Sequence, residues 1–160
     1  MHIRPMTAIY ITRGEKILLL YRIGSRVVGN SYTGAAGGHV ESAEYRDPRA
    51  CVLRELQEET GLAEDALEGL VLRYITMRNK DGEIRQNYYY FAELKDGASV
   101  QNSTEGRLEW HAMNALDVLP MPVTARHVLQ HYLAVGRFTD KLYGGLTTAE
   151  GPVFAEMTDF

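Results

Sequence analysis

Gly37-Gly38-His39-Val40-Glu41-Ser42-Ala43-Glu44, then Asp47-Pro48, then Arg54-Glu55-Leu56-Gln57-Glu58-Glu59-Thr60-Gly61-Leu62: this stretch decides how the chain is read. Asp47 suits a helix N-cap, and Pro48 suits the first helical position, where its missing N–H has no partner to lose. The helix they open should run to about Thr60 and stop at Gly61, the residue type that most readily takes a left-handed C-terminal cap. At about 100° per residue, with Glu55 at zero, Glu59 lies near +40° and Glu58 near −60°. Val52, Leu56 and Leu53 lie at about +60°, +100° and +160° on the same wheel. An apolar face therefore turns to a core, and three carboxylates crowd the face beside it. Their repulsion costs about a few tenths of a kcal/mol per pair, at the helix end where the macrodipole is already negative. A divalent cation cancels both penalties, and an oxygen-rich site of this kind suits Mg2+. A solvated acidic face would account for Glu58-Glu59 alone. The neighbouring Gly37-Gly38, Glu44, Arg54 and Gly61 favour a metal.

Outward from this helix, Ala8–Ile11 and Ile17–Tyr21 read as strands joined at Arg13-Gly14-Glu15. Gly24 to Gly34 is a polar, glycine-spaced loop. The small residues of Gly34-Ala35-Ala36-Gly37-Gly38 suit a backbone that must approach something closely. Downstream, Leu70–Met77 and Ile84–Leu94 read as two strands around the turn Asn79-Lys80-Asp81-Gly82. Val100–Glu105 reads as a loop, Leu108–His111 as a short strand and Ala115–Leu119 as a helical turn. Pro122–Val135 reads as an amphipathic helix that buries Val128, Leu129, Tyr132 and Val135. Strands with one central and one late helix place the chain in the α/β class. No linker or repeat divides the 160 residues, so one domain is expected, with a core at about 6–135 and an extension at 136–160. That extension packs on its own domain, as a hairpin, or on a partner in a homodimer.

Composition excludes several classes. At 45% hydrophobic and 24% charged, the chain is neither disordered nor low in complexity. A net charge of −4 argues against a protein built to grip nucleic-acid polymers. No apolar run approaches the length needed to span a bilayer, so no membrane role is expected. The single cysteine, Cys51, has no intramolecular partner and fits a reducing cytoplasm.

The glycine–glutamate stretch resembles the Nudix box, the signature of the Nudix hydrolases, written G-x5-E-x7-R-E-U-x-E-E-x-G-U with U aliphatic. Gly38 and Glu44 fit its first half, and Arg54, Glu55, Leu56, Glu58, Glu59, Gly61 and Leu62 fit its second. The match departs in spacing, with nine residues and not seven between Glu44 and Arg54, which places two extra residues before the helix. Ala35-Ala36 and Ala43 also stand where other residues are common in the family. The resemblance implies an α/β/α sandwich with a mixed sheet. It further implies Mg2+ or Mn2+ held by Glu55, Glu58, Glu59 and a backbone carbonyl near Gly38. Glu55 is then the candidate base, Arg54 the residue that orients it, and Glu44 a support for loop and helix. Many members add a carboxylate from a late loop, for which Glu105 is the first candidate and Glu109 the second.

The implied substrate is a small nucleotide in which two phosphates are linked. The single-domain layout is similar to MutT-type members, which predicts conversion of a nucleoside triphosphate to monophosphate and pyrophosphate, including oxidised purine nucleotides. Hydrolysis of ADP-ribose or a nucleotide sugar is the alternative, and a nucleotide sensor without turnover is a third. Arg22 and Arg26 flank the glycine-spaced loop and are candidates for phosphate contact. Among Tyr88-Tyr89-Tyr90, which alternate across a strand, Tyr90 is the candidate to face a base. His127 and His131 have i, i+4 spacing but no third ligand beside them, Trp110 reads as a core anchor, and Cys51 as a packing residue.

Overall fold

The structure, a computed structural model, describes residues 1–23 and 30–159. The candidate Arg26 lies outside them. The strands are β1 (His2–Arg13), β2 (Lys16–Arg22), β3 (Ser31–Gly34), β4 (Leu67–Lys80), β5 (Glu83–Leu94), β6 (Gly106–Ala112), β7 (Leu142–Thr148) and β8 (Gly151–Met157). The helices are α1 (Pro48–Thr60) and α2 (Val123–Ala134).

All eight strands form one mixed sheet in the order β3-β2-β1-β5-β4-β7-β8, with β6 on the other edge of β2. β1 runs parallel to β5, and β4 parallel to β7. Alternation along the strands separates two cores. Ile9, Ile11, Leu18, Tyr90 and Leu94 face Val52 and Leu56 of α1. Tyr10, Ile17, Leu19, Tyr74, Tyr89 and Phe91 face Val128 and Leu129 of α2. The result is the expected α/β/α sandwich.

α1 has the anticipated ends. The Asp47 carboxylate accepts from the Ala50 N–H, and Gly61 closes the helix at φ 71°. β4 and β5 are longer than the apolar runs that announced them, because ladder pairing extends the hairpin to the Asp81-Gly82 turn. The helical turn expected at Ala115–Leu119 lies earlier, as a 3-10 turn at Met113–Ala115. Val135 does not share the buried face of α2. It is the C-cap, at φ −134° and ψ −58°, and its side chain is exposed. The extension packs on its own domain: β7 and β8 form a hairpin, and β7 joins the sheet beside β4. Arg73 fastens it, donating from Nη2 to the carbonyls of Gly136 (2.6 Å) and Thr139 (2.7 Å). Among the described residues, no helix is long and apolar enough to cross a membrane.

The strand layout prepares the site through a fork. β1 pairs with β2 only from Ile11 to Arg13. Further back along β1, the segment Ala35–Val40 takes the place of β2: the Ile9 N–H donates to Ala36 O at 3.0 Å, and the Thr7 N–H donates to Gly38 O at 2.9 Å. A Cβ at Gly37 would collide with the Thr7 carbonyl, so the two backbones meet only because that residue has no side chain.

Candidate active site

The fork opens into a cleft of about 660 Å3. Gly37, Gly38 and His39 form one lip, Glu55 and Glu59 rise from α1, and Arg22 and Glu105 stand opposite. At the N-terminus of α2, Pro122, Thr124 and Ala125 bound the cleft, and its floor runs along β1 and β5.

Glu55 lies directly against Gly38, where an added Cβ would overlap its carboxylate. The bare backbone there leaves the Glu55 carboxylate and the loop in contact. Arg54 organises this wall. Its Nε donates to Glu44 Oε1 (2.8 Å) and its Nη2 to Glu44 Oε2 (3.0 Å), a two-point grip on one carboxylate. Its Nη1 donates to Glu55 Oε1 at 2.8 Å and Glu58 Oε2 at 3.3 Å, and its Nη2 reaches the His39 carbonyl at 3.2 Å. The guanidinium holds the Glu44 carboxyl down at a pKa of about 2. Arg54 thus links the loop before the helix, the glycine lip and Glu55 in one network.

Glu59 lies deeper, with its side chain 10% exposed. Its Oε2 is buried and has no hydrogen-bond partner among the described residues. Burial pushes its pKa up to about 7, opposed by Arg22 and assisted by Glu55. Arg22 Nη2 stands 3.9 Å from Glu59, and Arg22 Nη1 stands 3.8 Å from Glu105. A largely buried carboxyl with an unpartnered oxygen, beside a second carboxylate and a bare glycine backbone, has the chemistry of a hard-cation ligand. Among the described residues, no three His, Cys, Asp or Glu side chains converge into a closed cage. Arg54 bonds Glu55 and Glu58 and Arg22 stands near Glu59 and Glu105, and a Mg2+ site that draws on water and substrate phosphate needs no such cage.

The structure brings together most of the residues singled out from sequence. Glu55, Glu59, Gly38, Glu105 and Arg22 all line the cleft. Glu58 does not line the cleft: its side chain is 58% exposed and paired with Arg54. Tyr90 does not face the cleft. Strand alternation puts it in the α1 core, and its neighbour Tyr89 lines the cleft instead. Glu109 turns to Tyr32 (2.9 Å) and His111 (3.1 Å), away from the α1 carboxylates. Trp110 packs at the margin of the α1 core under Arg13. His131 bonds the Tyr74 hydroxyl through Nδ1 at 2.8 Å. Cys51 is buried against Thr7, and its thiol is pushed up to about 11 by burial.

Sequence reasoning passed over Arg4, Arg78, Arg85 and Asn87, which line the outer cleft. The i, i+2, i+4 pattern Arg85-Asn87-Tyr89 was a usable signal, since it continues a core-facing row outward as polar residues.

Comparison with known proteins agrees with this geometry. The profile of the NUDIX domain matches residues 2–132. The uncharacterized Nudix hydrolase YvcI of Bacillus subtilis (strain 168) is 31% identical over 134 residues, 80% of this chain and 78% of that protein. Among solved structures, the MutT protein of Bacillus halodurans superposes with a TM-score of 0.69 at 23% identity, over 97% of this chain and 95% of that one. The MutT NUDIX hydrolase of Burkholderia pseudomallei gives 0.65 at 25% identity, over 81% and 98%.

Proposed function

The chain belongs to the Nudix family of hydrolases, and from that premise we propose that it is a divalent-cation-dependent pyrophosphohydrolase of a small nucleotide. Water attacks a phosphorus of a nucleoside diphosphate-linked substrate. A phosphorus–oxygen bond of the anhydride breaks, the water oxygen stays on the attacked phosphorus, and the other half leaves with the bridging oxygen. A nucleoside triphosphate, oxidised purine nucleotides included, is the case in which one half is pyrophosphate; ADP-ribose and nucleotide sugars are the alternative. The reading suits a cytoplasmic enzyme.

The observation that carries it is the buried oxygen of Glu59, unpartnered among the described residues, beside Glu55 in the cleft wall. Glu55, Glu58 and Glu59, with a backbone carbonyl near Gly38 and Glu105, would hold Mg2+ or Mn2+. When bound, the ion neutralises phosphate charge and lowers the pKa of the attacking water. Glu55, oriented by Arg54 Nη1, accepts the water proton. Arg22, near two carboxylates yet within neither's hydrogen-bond range, turns to the anionic diphosphate oxygens.

Glu59→Gln tests the reading, because it keeps the shape and removes the charge. Turnover with Mg2+ across a panel of nucleoside triphosphates, ADP-ribose and nucleotide sugars should fall by about 10²–10³-fold, the scale for losing one stabilising group at a developing oxyanion. Turnover near wild type in the folded variant would refute the assignment. Tight nucleotide binding without product under any divalent ion would favour the sensor instead.

A further inference from the structure

Three guanidinium groups lie in one lateral row across the floor of the outer cleft. Arg4 of β1 is the register partner of Arg85 of β5, and Arg85 is the register partner of Arg78 of β4. All three line the same cleft as Glu55 and Glu59. Like charges directly opposite one another on neighbouring strands are destabilising, and here the pairing is repeated. Compensation is thin. Glu83 serves two members of the row, at 3.2 Å from Arg85 Nε and 3.8 Å from Arg4 Nη1. Arg4 also donates from Nε to His39 Nε2, which ties the row to the glycine lip. Among the described residues, no carboxylate pairs with Arg78, and its charge helps to hold the His127 pKa down. Nothing in the packing calls for this row.

We propose that the row is a subsite for a second phosphate, so that the substrate is pyrophosphate-linked and also carries a phosphate monoester on one of its halves. This rests on the hydrolase reading above and narrows it. Distance supports the assignment. Thr7, whose N–H holds the Gly38 carbonyl, is three residues from Arg4, roughly 10 Å along the strand. One sugar unit between two phosphates bridges that span once the arginine side chains reach inward. The forked guanidinium is the side chain best matched to a terminal phosphate. The next rung inward, Met6 opposite Asn87, then Ala8 opposite Tyr89, offers a floor on which the sugar can rest.

Adenosine 3′,5′-bisphosphate and adenosine 5′-monophosphate differ by one phosphate, and neither contains an anhydride to cleave. Titration of each into the Mg2+-loaded protein by calorimetry should show the bisphosphate bound about ten- to a hundred-fold more tightly, the effect of adding charge-assisted hydrogen bonds. In Arg78→Gln that ratio should fall to near one. The melting temperature should stay level or rise, because a like-charge contact is relieved; a structural arginine would lower it. Arg78→Lys, which keeps the charge but not the fork, should retain part of the ratio. Equal affinity for the two nucleotides in the wild type, or a ratio that survives Arg78→Gln, would overturn the proposal. Turnover of coenzyme A against dephospho-coenzyme A, a pair that also differs by one phosphate, separates the two levels. Cleavage of both at equal kcat/KM overturns the subsite and leaves the hydrolase standing. Binding discrimination without turnover of any substrate overturns the hydrolase and leaves the subsite.

Discussion

Replacing Glu44 by Gln removes the charge that anchors Arg54 and changes almost nothing in shape. The Glu44 side chain is 12% exposed and accepts two hydrogen bonds from one guanidinium, at 2.8 and 3.0 Å. A carboxyl lowered from 4.5 to about 2 reflects roughly 3 kcal/mol of stabilisation in the folded state at neutral pH. Glutamine keeps a neutral acceptor worth about 1 kcal/mol, which leaves a loss of about 2 kcal/mol. For a chain of this length that corresponds to a drop in melting temperature of about 4–8 °C. The folded pKa is depressed, so the contribution is complete above the ordinary carboxylate pKa. It fades as pH falls from about 4.5 through about 2. Denaturation of wild type and Glu44→Gln, followed by circular dichroism at pH 7 and pH 3, should therefore show a gap at pH 3 less than about half that at pH 7. A gap of equal size at both pH values, or none at pH 7, would refute the claim that the ion pair with Arg54 stabilises this loop.

Two further perturbations probe different parts of the same frame. Gly38→Ala drives a Cβ into the Glu55 carboxylate, so kcat/KM should fall by about 10–100-fold, as when a group that orients a metal ligand is lost, with little change in melting temperature. Wild-type kinetics would show that Glu55 is not held by the glycine lip. Arg73→Met strips the donors that reach the carbonyls of Gly136 and Thr139 and should cost about 2–4 kcal/mol. Hydrogen exchange should localise the loss to β7 and β8, and unchanged protection there would rule out the strap.

The helix was legible because its signals are local. Asp47, Pro48 and Gly61 act on their own backbone, and the carboxylates of α1 share a face by helical geometry alone. The small residues at 34–38 were legible as a close approach, but not what they approach. The partner is β1, from which they are separated by more than twenty residues and a fork in the sheet. Tyr90 shows the limit of alternation. Period two assigns Tyr89 and Tyr90 to opposite faces without saying which face holds the cleft, and that depends on where α1 and α2 settle. The pairing of Arg78 with Arg85 follows from the two-residue turn at Asp81-Gly82, so two of the three members of the arginine row could be counted off the chain. Its third member could not, because β1 joins β5 in parallel and no turn sets that register.

From its sequence alone, then, this protein is committed to a capped helix that carries three carboxylates in the order and spacing of the Nudix box, because hydrogen bonds and side-chain directions within one helix are set by neighbours a few residues away. Tertiary structure decides the rest: that Arg54 grips Glu44 while touching Glu55, that Glu59 holds a buried oxygen unpartnered among the described residues, and that three arginines from three strands align beside them. Those outcomes depend on strand register and on burial, which arise only when distant segments pack and water is excluded between them.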